Sequence, residues 1–350
     1  MSVCEKVSII VPVYNTAPYL NDFFNKIEEQ SFQDYKLYIV YDKSDDDSLE
    51  IIKKRQANNA NKYEILYSPK KDGLGAARDF ALNSGRIVGD YVLFLDPDDY
   101  PDKDFLKKLV NEAEQSGADI TICGFERFDD ETGEVLCTEM THNPEKLITD
   151  VPHFDLIAYM NPVVWDKLYK RTIVENLRFT NIKRTEDVFW LMRMLPRVKT
   201  IKCINESLYH YRVRGDSLLN SIKKQAYLEV LENFKTVSKE INENKSVNDE
   251  YRNVLELIAF FRCGIGITYR AAMNDMKNAK WYCSTSKQVL DEYYSGWRRN
   301  PYLKFSKCKK RGIKGLAIWG CSLLYKMNAF SIYVYLYNWF SSKFRVEVKW

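Results

Sequence analysis

The chain is poor in histidine, with three residues (His142, His153 and His210) among 350. That is too few for an all-histidine zinc site with any redundancy. It also lacks a close cysteine pair. Its eight cysteines are scattered, none nearer than Cys308 to Cys321. This excludes CxxC redox and zinc-ribbon spacings and reads as reduced thiols of a cytosolic protein. Met1–Lys6 shows no basic segment followed by an apolar one, so no secretory signal is expected. No apolar run reaches the ~18–20 residues of a membrane span. Charge of one sign is missing as well: 52 basic and 48 acidic residues leave a formal +4, which makes no general case for a nucleic-acid partner. A composition of 45% apolar and 29% charged residues argues against disorder. What is abundant is aromatic: 24 Tyr, 18 Phe and 7 Trp.

The first ~120 residues alternate strand and helix patterns. Short β-type runs stand at Val7–Val11, Leu37–Tyr41, Tyr63–Tyr67, Tyr91–Leu95 and Ile120–Phe125. Between them lie helical patterns, the first carrying Leu20, Phe23, Phe24 and Ile27 at i, i+3, i+4 and i+7, with Asn15 or Thr16 as its cap. Such alternation predicts βαβ units and a mostly parallel α/β sheet flanked by helices, with ligands at the C-terminal ends of the strands. Strands are expected at Val198–Ile204 and Ser207–Arg212, followed by a helical C-terminal region. The expected divisions are a catalytic domain over 1–217, a helical region over 218–300 and a basic, aromatic tail over 301–350. The tail holds ten basic residues and one acid.

Four segments carry candidate chemistry. Asp96, Asp98 and Asp99 put three carboxylates in four residues at the end of an apolar strand. They suit a hard divalent ion shared with a diphosphate, or else form a solvated acidic turn. Asp42 follows the second strand, where a carboxylate can accept from a base or ribose, whereas Asp45–Asp47 fit an acidic helix N-terminus. Gly73-Leu74-Gly75-Ala76-Ala77-Arg78 fails as a dinucleotide fingerprint, yet a glycine-rich helix entry with an Arg one turn in can meet a nucleotide. Glu186-Asp187 opens an apolar helix, either as a capped N-terminus with Thr185 beside it or as a general base. His210 is a further candidate for a metal or a diphosphate, against an ordinary half-buried strand histidine.

In this order and spacing the segments resemble the family 2 glycosyltransferases of the GT-A (Rossmann-like) fold. Val7–Asn15 is similar to that family's first strand and loop, and Gln30–Tyr35 to its link into the second strand. Gly73–Arg78 resembles G-x-x-x-A-R-N with Asp79 for Asn, and Asp96–Asp99 its metal-binding D-x-D-D. Trp165–Tyr169, Glu186-Asp187, and His210–Arg212 with Ser217 resemble its later motifs. The resemblance covers about residues 6–220. It implies that Pro12, Tyr14, Asn15, Asp42 and Arg78 hold the nucleotide of a UDP-sugar, and that Asp96 sits near the ribose or the metal. Asp98, with Asp99 as a second candidate, binds Mn²⁺ or Mg²⁺. Asp187 activates a hydroxyl of a glycan or lipid-linked glycan acceptor, and a single displacement turns an α-linked donor into a β-linked product. One departure is Lys43 where the family usually has Gly, which changes the loop if φ is positive there.

The apolar segments Gly315–Tyr325 and Ala329–Phe340, beside the lysines from Lys307 to Lys314, fit an interfacial helix on anionic lipid or a helical pair packed on the domain. The expected location is cytoplasmic, peripheral on the inner face of the plasma membrane. Two competing readings remain. One is a nucleotidyltransferase, weakened because the loop after the first strand (Pro12–Thr16) has no Gly-rich basic signature. The other is a degenerate glycosyltransferase-like binding module, supported by Lys43 alone.

Overall fold

The computed structural model describes residues 5–69, 72–139, 155–179, 185–214, 222–244 and 247–344, the side chains of 340–344 excepted. His142, His153, Arg184 and Ser217 lie outside the described residues. The chain divides into two compact units. One is Met1–Asp150 with Asn161–Gly215, and the other is Val151–Met160 with Asp216–Trp350.

The first unit alternates β1 (Val7–Val13), α1 (Ala17–Glu28), β2 (Tyr35–Tyr41), α2 (Ser48–Asn58), β3 (Tyr63–Tyr67), α3 (Leu74–Leu82) and β4 (Tyr91–Phe94). There follow β5 (Tyr100–Pro101), α4 (Phe105–Ser116), β6 (Ile120–Asp129) and β7 (Val135–Glu139). Among the described residues nine strands form one sheet in the order β3-β2-β1-β4-β8-β6-β9-β5, with β7 on β6. Here β8 is Lys167–Lys170 and β9 is Ile201–Val213. The strands β3, β2, β1 and β4 pair in parallel, so Tyr14, Asp42, Ser68 and Leu95 leave the sheet on one edge. Every residue of β1 is buried, as a strand covered on both faces requires. Beyond β4 the sheet is mixed: β8 runs antiparallel to both β4 and β6, while β9 runs parallel to β6.

The two strands expected over 198–212 are one strand, β9. Its pairing with β6 slips on both sides of Gly124, so β9 absorbs extra residues as bulges, and this irregularity interrupts the sequence pattern. Gln30 fixes the start of α4: its Nε2 donates to the Asp102 carbonyl (2.7 Å) and its Oε1 accepts from Leu106 N–H (3.1 Å). This gives the Gln-Ser-Phe segment its structural role.

Helix α1 is capped from outside. Thr16 makes no side-chain cap, and Asn15 Oδ1 instead accepts from Asp45 N–H (2.9 Å). Ala17 N–H donates to Asp46 Oδ2 (2.9 Å), whose Oδ1 accepts from Ser48 N–H (3.1 Å) at the start of α2. One carboxylate thus serves two helix N-termini. Burial works against its charged form, but the hydrogen bonds from Ser48 and Ala17 outweigh that and lower its pKa. Asp46→Ala should therefore cost about 1 kcal/mol in urea unfolding at pH 7. A lowered folded-state pKa places that stability above the unfolded value. The gap to wild type should close as pH falls through the folded pKa.

The second unit is helical. It holds α5 (Asp155–Tyr159), a π-helical segment (Phe260–Ile267), and α8 to α14: Lys224–Glu243, Asp249–Ala259, Thr268–Asn274, Ala279–Tyr293, Phe305–Lys309, Gly312–Lys326 and Phe330–Phe344. The intervening α6 (Arg171–Val174) and α7 (Glu186–Met194) belong to the first unit. Trp297 stacks on Phe260 (centroids 5.2 Å) at the core of the second unit.

Candidate active site

The edge where β1 to β4 end is built by backbone first. Pro12 is buried in β1, while Tyr14 and Asn15 emerge beyond it, Tyr14 at 46% exposure. Asn15 takes a positive φ (50°), tolerable for Asn, and its N–H donates to Ser44 Oγ (3.1 Å), so the loops after β1 and β2 are laced together. Asp42 is buried at the end of β2, and its N–H donates to the Val13 carbonyl (3.0 Å). Lys43 is exposed and is not among the residues with positive φ, so lysine costs this loop no strain. Glycine is required instead at Gly73, the residue before α3, whose φ of 90° and ψ of 178° admit no side chain without strain.

That turn aims Arg78, one turn into α3, inward. Its guanidinium is 1% exposed and grips three carboxylates: Asp96 (2.8 Å), Asp187 (3.2 Å) and Glu186 (3.3 Å). Burial alone would lower its pKa, but the charges of Asp96, Asp187 and Glu186 raise it. It lies over the Phe179 ring (5.4 Å), which stacks on Trp190 (4.0 Å). Asp79, where the family motif has Asn, accepts from Phe179 N–H (2.8 Å). An amide oxygen could make the same bond. Burial pushes the Asp79 carboxyl up to about 6.

Helix α7 presents Glu186 and Asp187 to Arg78 from its first turn. Thr185 just before it has φ 61° and makes no side-chain cap. A β-branched residue in this region costs about 1–3 kcal/mol, a strain that tends to sit beside functional groups. Burial, then the charge of Glu186, holds the Asp187 carboxyl well above the usual range, with Arg78 opposing.

Beyond β4 the acids divide. Asp99 is buried, and both its oxygens are taken: Oδ1 by Arg212 N–H (2.8 Å) and Oδ2 by the Tyr209 hydroxyl (3.2 Å). Burial, with Asp98 and Asp96 beside it, keeps its carboxyl well above the ordinary value. Asp98 pairs with Arg214 (2.9 Å), and burial followed by the charge of Asp96 raises its pKa. The structure does not bring His210 to this group. It alternates with Tyr209 and Tyr211 and so faces the other side of β9. There its Nδ1 meets Glu126 (2.6 Å), its Nε2 meets Asp102 (3.0 Å), and Tyr100 stacks on the ring (4.6 Å). Each Asp99 oxygen already accepts one hydrogen bond, and each ring nitrogen of His210 already faces a carboxylate.

Asp96, Glu186 and Asp187 thus share the guanidinium of Arg78, Asp98 pairs with that of Arg214, and Asp99 is held by Tyr209 and the Arg212 backbone. Among the described residues no group of three or more His, Cys, Asp or Glu is arranged as a metal cage. The donor set is oxygen only and keeps Asp96 and Asp98 partly exposed (19% and 23%). It fits a hard divalent ion that takes one or two carboxylates and completes its shell from a diphosphate.

Sequence reasoning missed Arg214, the second arginine of His210-Tyr211-Arg212-Val213-Arg214, although the motif itself was the signal. It also missed the buried Lys167, whose Nζ donates to Asp166 Oδ1 (2.6 Å), the Val163 carbonyl (2.6 Å) and the Asn161 carbonyl (2.9 Å). That bracket holds Trp165 flat against Tyr209 (4.4 Å) and Tyr211 (5.5 Å).

Residues 8–178 match the family model described as glycosyl transferase family 2. The chain is 30% identical over 188 residues to an uncharacterised glycosyltransferase of Haemophilus influenzae, across 53% of this chain and 70% of that one. It is 27% identical over 216 residues to the poly(ribitol-phosphate) beta-glucosyltransferase of Bacillus spizizenii, across 60% of this chain, and spans only 33% of that relative's length. A solved structure of S. aureus TarS 1–349 with UDP-GlcNAc has a TM-score of 0.66 at 19% identity, covering 92% of each chain. That last likeness is one of fold.

Proposed function

The chain belongs to glycosyl transferase family 2 and is a glycosyltransferase of GT-A fold, and from that premise we propose that it moves a hexose or N-acetylhexosamine from a UDP-sugar to a hydroxyl of a growing glycan. The observation that carries this reading is the Arg78 clamp. One buried guanidinium joins Asp96, at the donor edge of the sheet, to Asp187, the candidate base on α7. The donor is read as a UDP-sugar because the strand-end loops match those of the family and TarS is solved with UDP-GlcNAc. Inversion to a β product agrees with the name of the B. spizizenii relative, which also points to surface-polysaccharide synthesis.

Tyr14, Asn15 and Asp42 receive the nucleoside, with Pro12 shaping the loop beneath. Arg78 orients Asp96 and Asp187 rather than reaching the nucleotide directly. Asp98, with Asp96 beside it, would hold Mn²⁺ or Mg²⁺. Such an ion, when bound, neutralises charge on the departing diphosphate. Asp187 takes the proton of the acceptor hydroxyl as that oxygen bonds to the anomeric carbon, and the sugar's bond to UDP breaks on the opposite face. The acceptor is lipid-linked and is met at the cytoplasmic face of the plasma membrane, where the basic tail faces anionic lipid. Lys43 no longer favours a degenerate module, because the loop carries it without strain.

Calorimetric titration of UDP with and without MnCl₂ tests the donor site. Binding should require the ion, and Asp98→Ala should weaken it about tenfold or more, the loss of one charged contact of ~1.5–3 kcal/mol. Equal affinity in EDTA would remove the metal from the mechanism. An absence of nucleotide binding by the wild type would overturn the reading.

A further inference from the structure

From Pro301 to Phe344 the chain carries eight basic residues and no acid. Helix α13 buries Gly315, Ile318, Cys321, Ser322 and Tyr325, and α14 buries Phe330 and Val334. Both stripes lie on one core: Tyr325 packs edge-on to Phe260 (5.6 Å) and stacks on Phe330 (4.5 Å). The opposite stripes should then be polar, as on any helix that faces water. They are aliphatic instead. Ile313 (88% exposed), Leu316, Leu323 and Met327 (65%) run along α13 and just past its end, and Ile332 (58%) and Leu336 (62%) run along α14. Isolated exposed apolar residues need no explanation, but two successive helices with apolar outer faces do.

The surrounding charge identifies what covers them. Lys304, Lys307, Lys309, Lys310 and Lys326 are all exposed at the ends of the pair. Arg311 is not among them, because Asp155 holds it with two bonds (2.9 and 2.7 Å), pinning the start of α13 to α5 within the second unit. A second copy of the same face would set this acid-free segment against an identical one, cation against cation. An anionic lipid surface offers negative charge at the level of the lysines and apolar depth for the aliphatic stripes. No helix of the described residues is long and apolar enough to cross a membrane. Helices of 15 residues, such as α13 and α14, are ~22 Å long against a ~30 Å hydrocarbon core.

We propose that the outer face of α13 and α14 docks flat on an anionic phospholipid bilayer, with the aliphatic stripes in the headgroup–acyl boundary and the lysines on the phosphates. This deepens the membrane location proposed above and shares that reading's premise, but it can fail separately. The test uses the full chain without donor or acceptor. Sedimentation with phosphatidylcholine vesicles containing about a third phosphatidylglycerol should pull the protein down at 0.1 M salt, and pure phosphatidylcholine should not. Lys307→Gln with Lys310→Gln should lower the partition about 25-fold, at about fivefold per lysine. Ile332→Ser with Leu336→Ser should lower it at least about tenfold with an unchanged melting temperature. If that pair disturbs folding, Ile313→Ser, the most exposed of the set, replaces it. Wild-type protein left in the supernatant with anionic vesicles would overturn the proposal. So would an aliphatic variant that binds like wild type, or light scattering showing a dimer that these substitutions dissolve. Loss of sugar transfer with vesicle binding intact would instead count against the functional reading alone.

Discussion

Asp187→Asn lowers the rate constant of sugar transfer by about 10²–10⁴-fold, the usual worth of a positioned general base, while UDP-sugar affinity stays near wild type. The amide keeps the shape of the carboxylate and can still lie against Arg78, so the helix start should survive, but it cannot take a proton. Burial and the neighbouring Glu186 raise the Asp187 pKa, with Arg78 pulling it back. That places the base nearer to neutrality than an exposed carboxylate, where proton transfer from a hydroxyl is most effective. The wild-type rate should therefore fall as pH drops through a value above the ordinary carboxylate range, and that limb should disappear in the variant. Turnover within twofold of wild type at saturating donor and acceptor would remove Asp187 from the mechanism. A parallel loss of donor affinity would show that it holds the site together rather than acting in it.

Much of the sheet edge was legible because parallel strands buried on both faces leave unbroken apolar runs, as β1 and β2 do, and loops at their C-terminal ends must share one edge. Asp96 and Asp42 could be placed at that edge for that reason. What stayed hidden is what couples segments far apart in the chain. Arg78 reads as a nucleotide contact in a local motif, and nothing near it shows that Asp96 and the Glu186-Asp187 pair, 108 positions away, close around it. Nothing beside Asp99 in the sequence shows that Tyr209 and Arg212 each hold one of its oxygens. His210 looks available until Glu126 and Asp102 bracket its ring. The concern over Lys43 rested on a φ angle that a sequence does not carry. Conversely, the strain sits at Thr185, where no motif flags it. A sequence records which chemistry is present at an edge more readily than which groups already satisfy one another.

Arg78→Ala should cost the catalytic unit about 3–5 kcal/mol of stability, because it leaves three carboxylates, Glu186 buried and Asp96 and Asp187 partly so, without their cation. Lys cannot repair this, since a single ammonium cannot hold Asp96 with one nitrogen and Asp187 and Glu186 with another. Arg78→Lys should recover only part of the loss. Protonation supplies the distinguishing measurement. A carboxyl whose folded-state pKa lies above its unfolded value binds more protons when folded. Acidification from the folded pKa towards the unfolded one therefore stabilises the fold. Asp187 is raised even with Arg78 present, and Arg78 is the charge that opposes the rise. Without it that window extends to higher pH. The stability deficit of Arg78→Ala, followed by urea unfolding, should be largest at neutral pH and shrink as pH falls. Combining Arg78→Met with Asp96→Asn, Glu186→Gln and Asp187→Asn should restore most of the stability while leaving the protein inactive, since a buried ion cluster is harmful when broken rather than when wholly replaced. A deficit that is independent of pH and persists in the combined variant would mean that Arg78 acts through its packing over Phe179 and not through its charge.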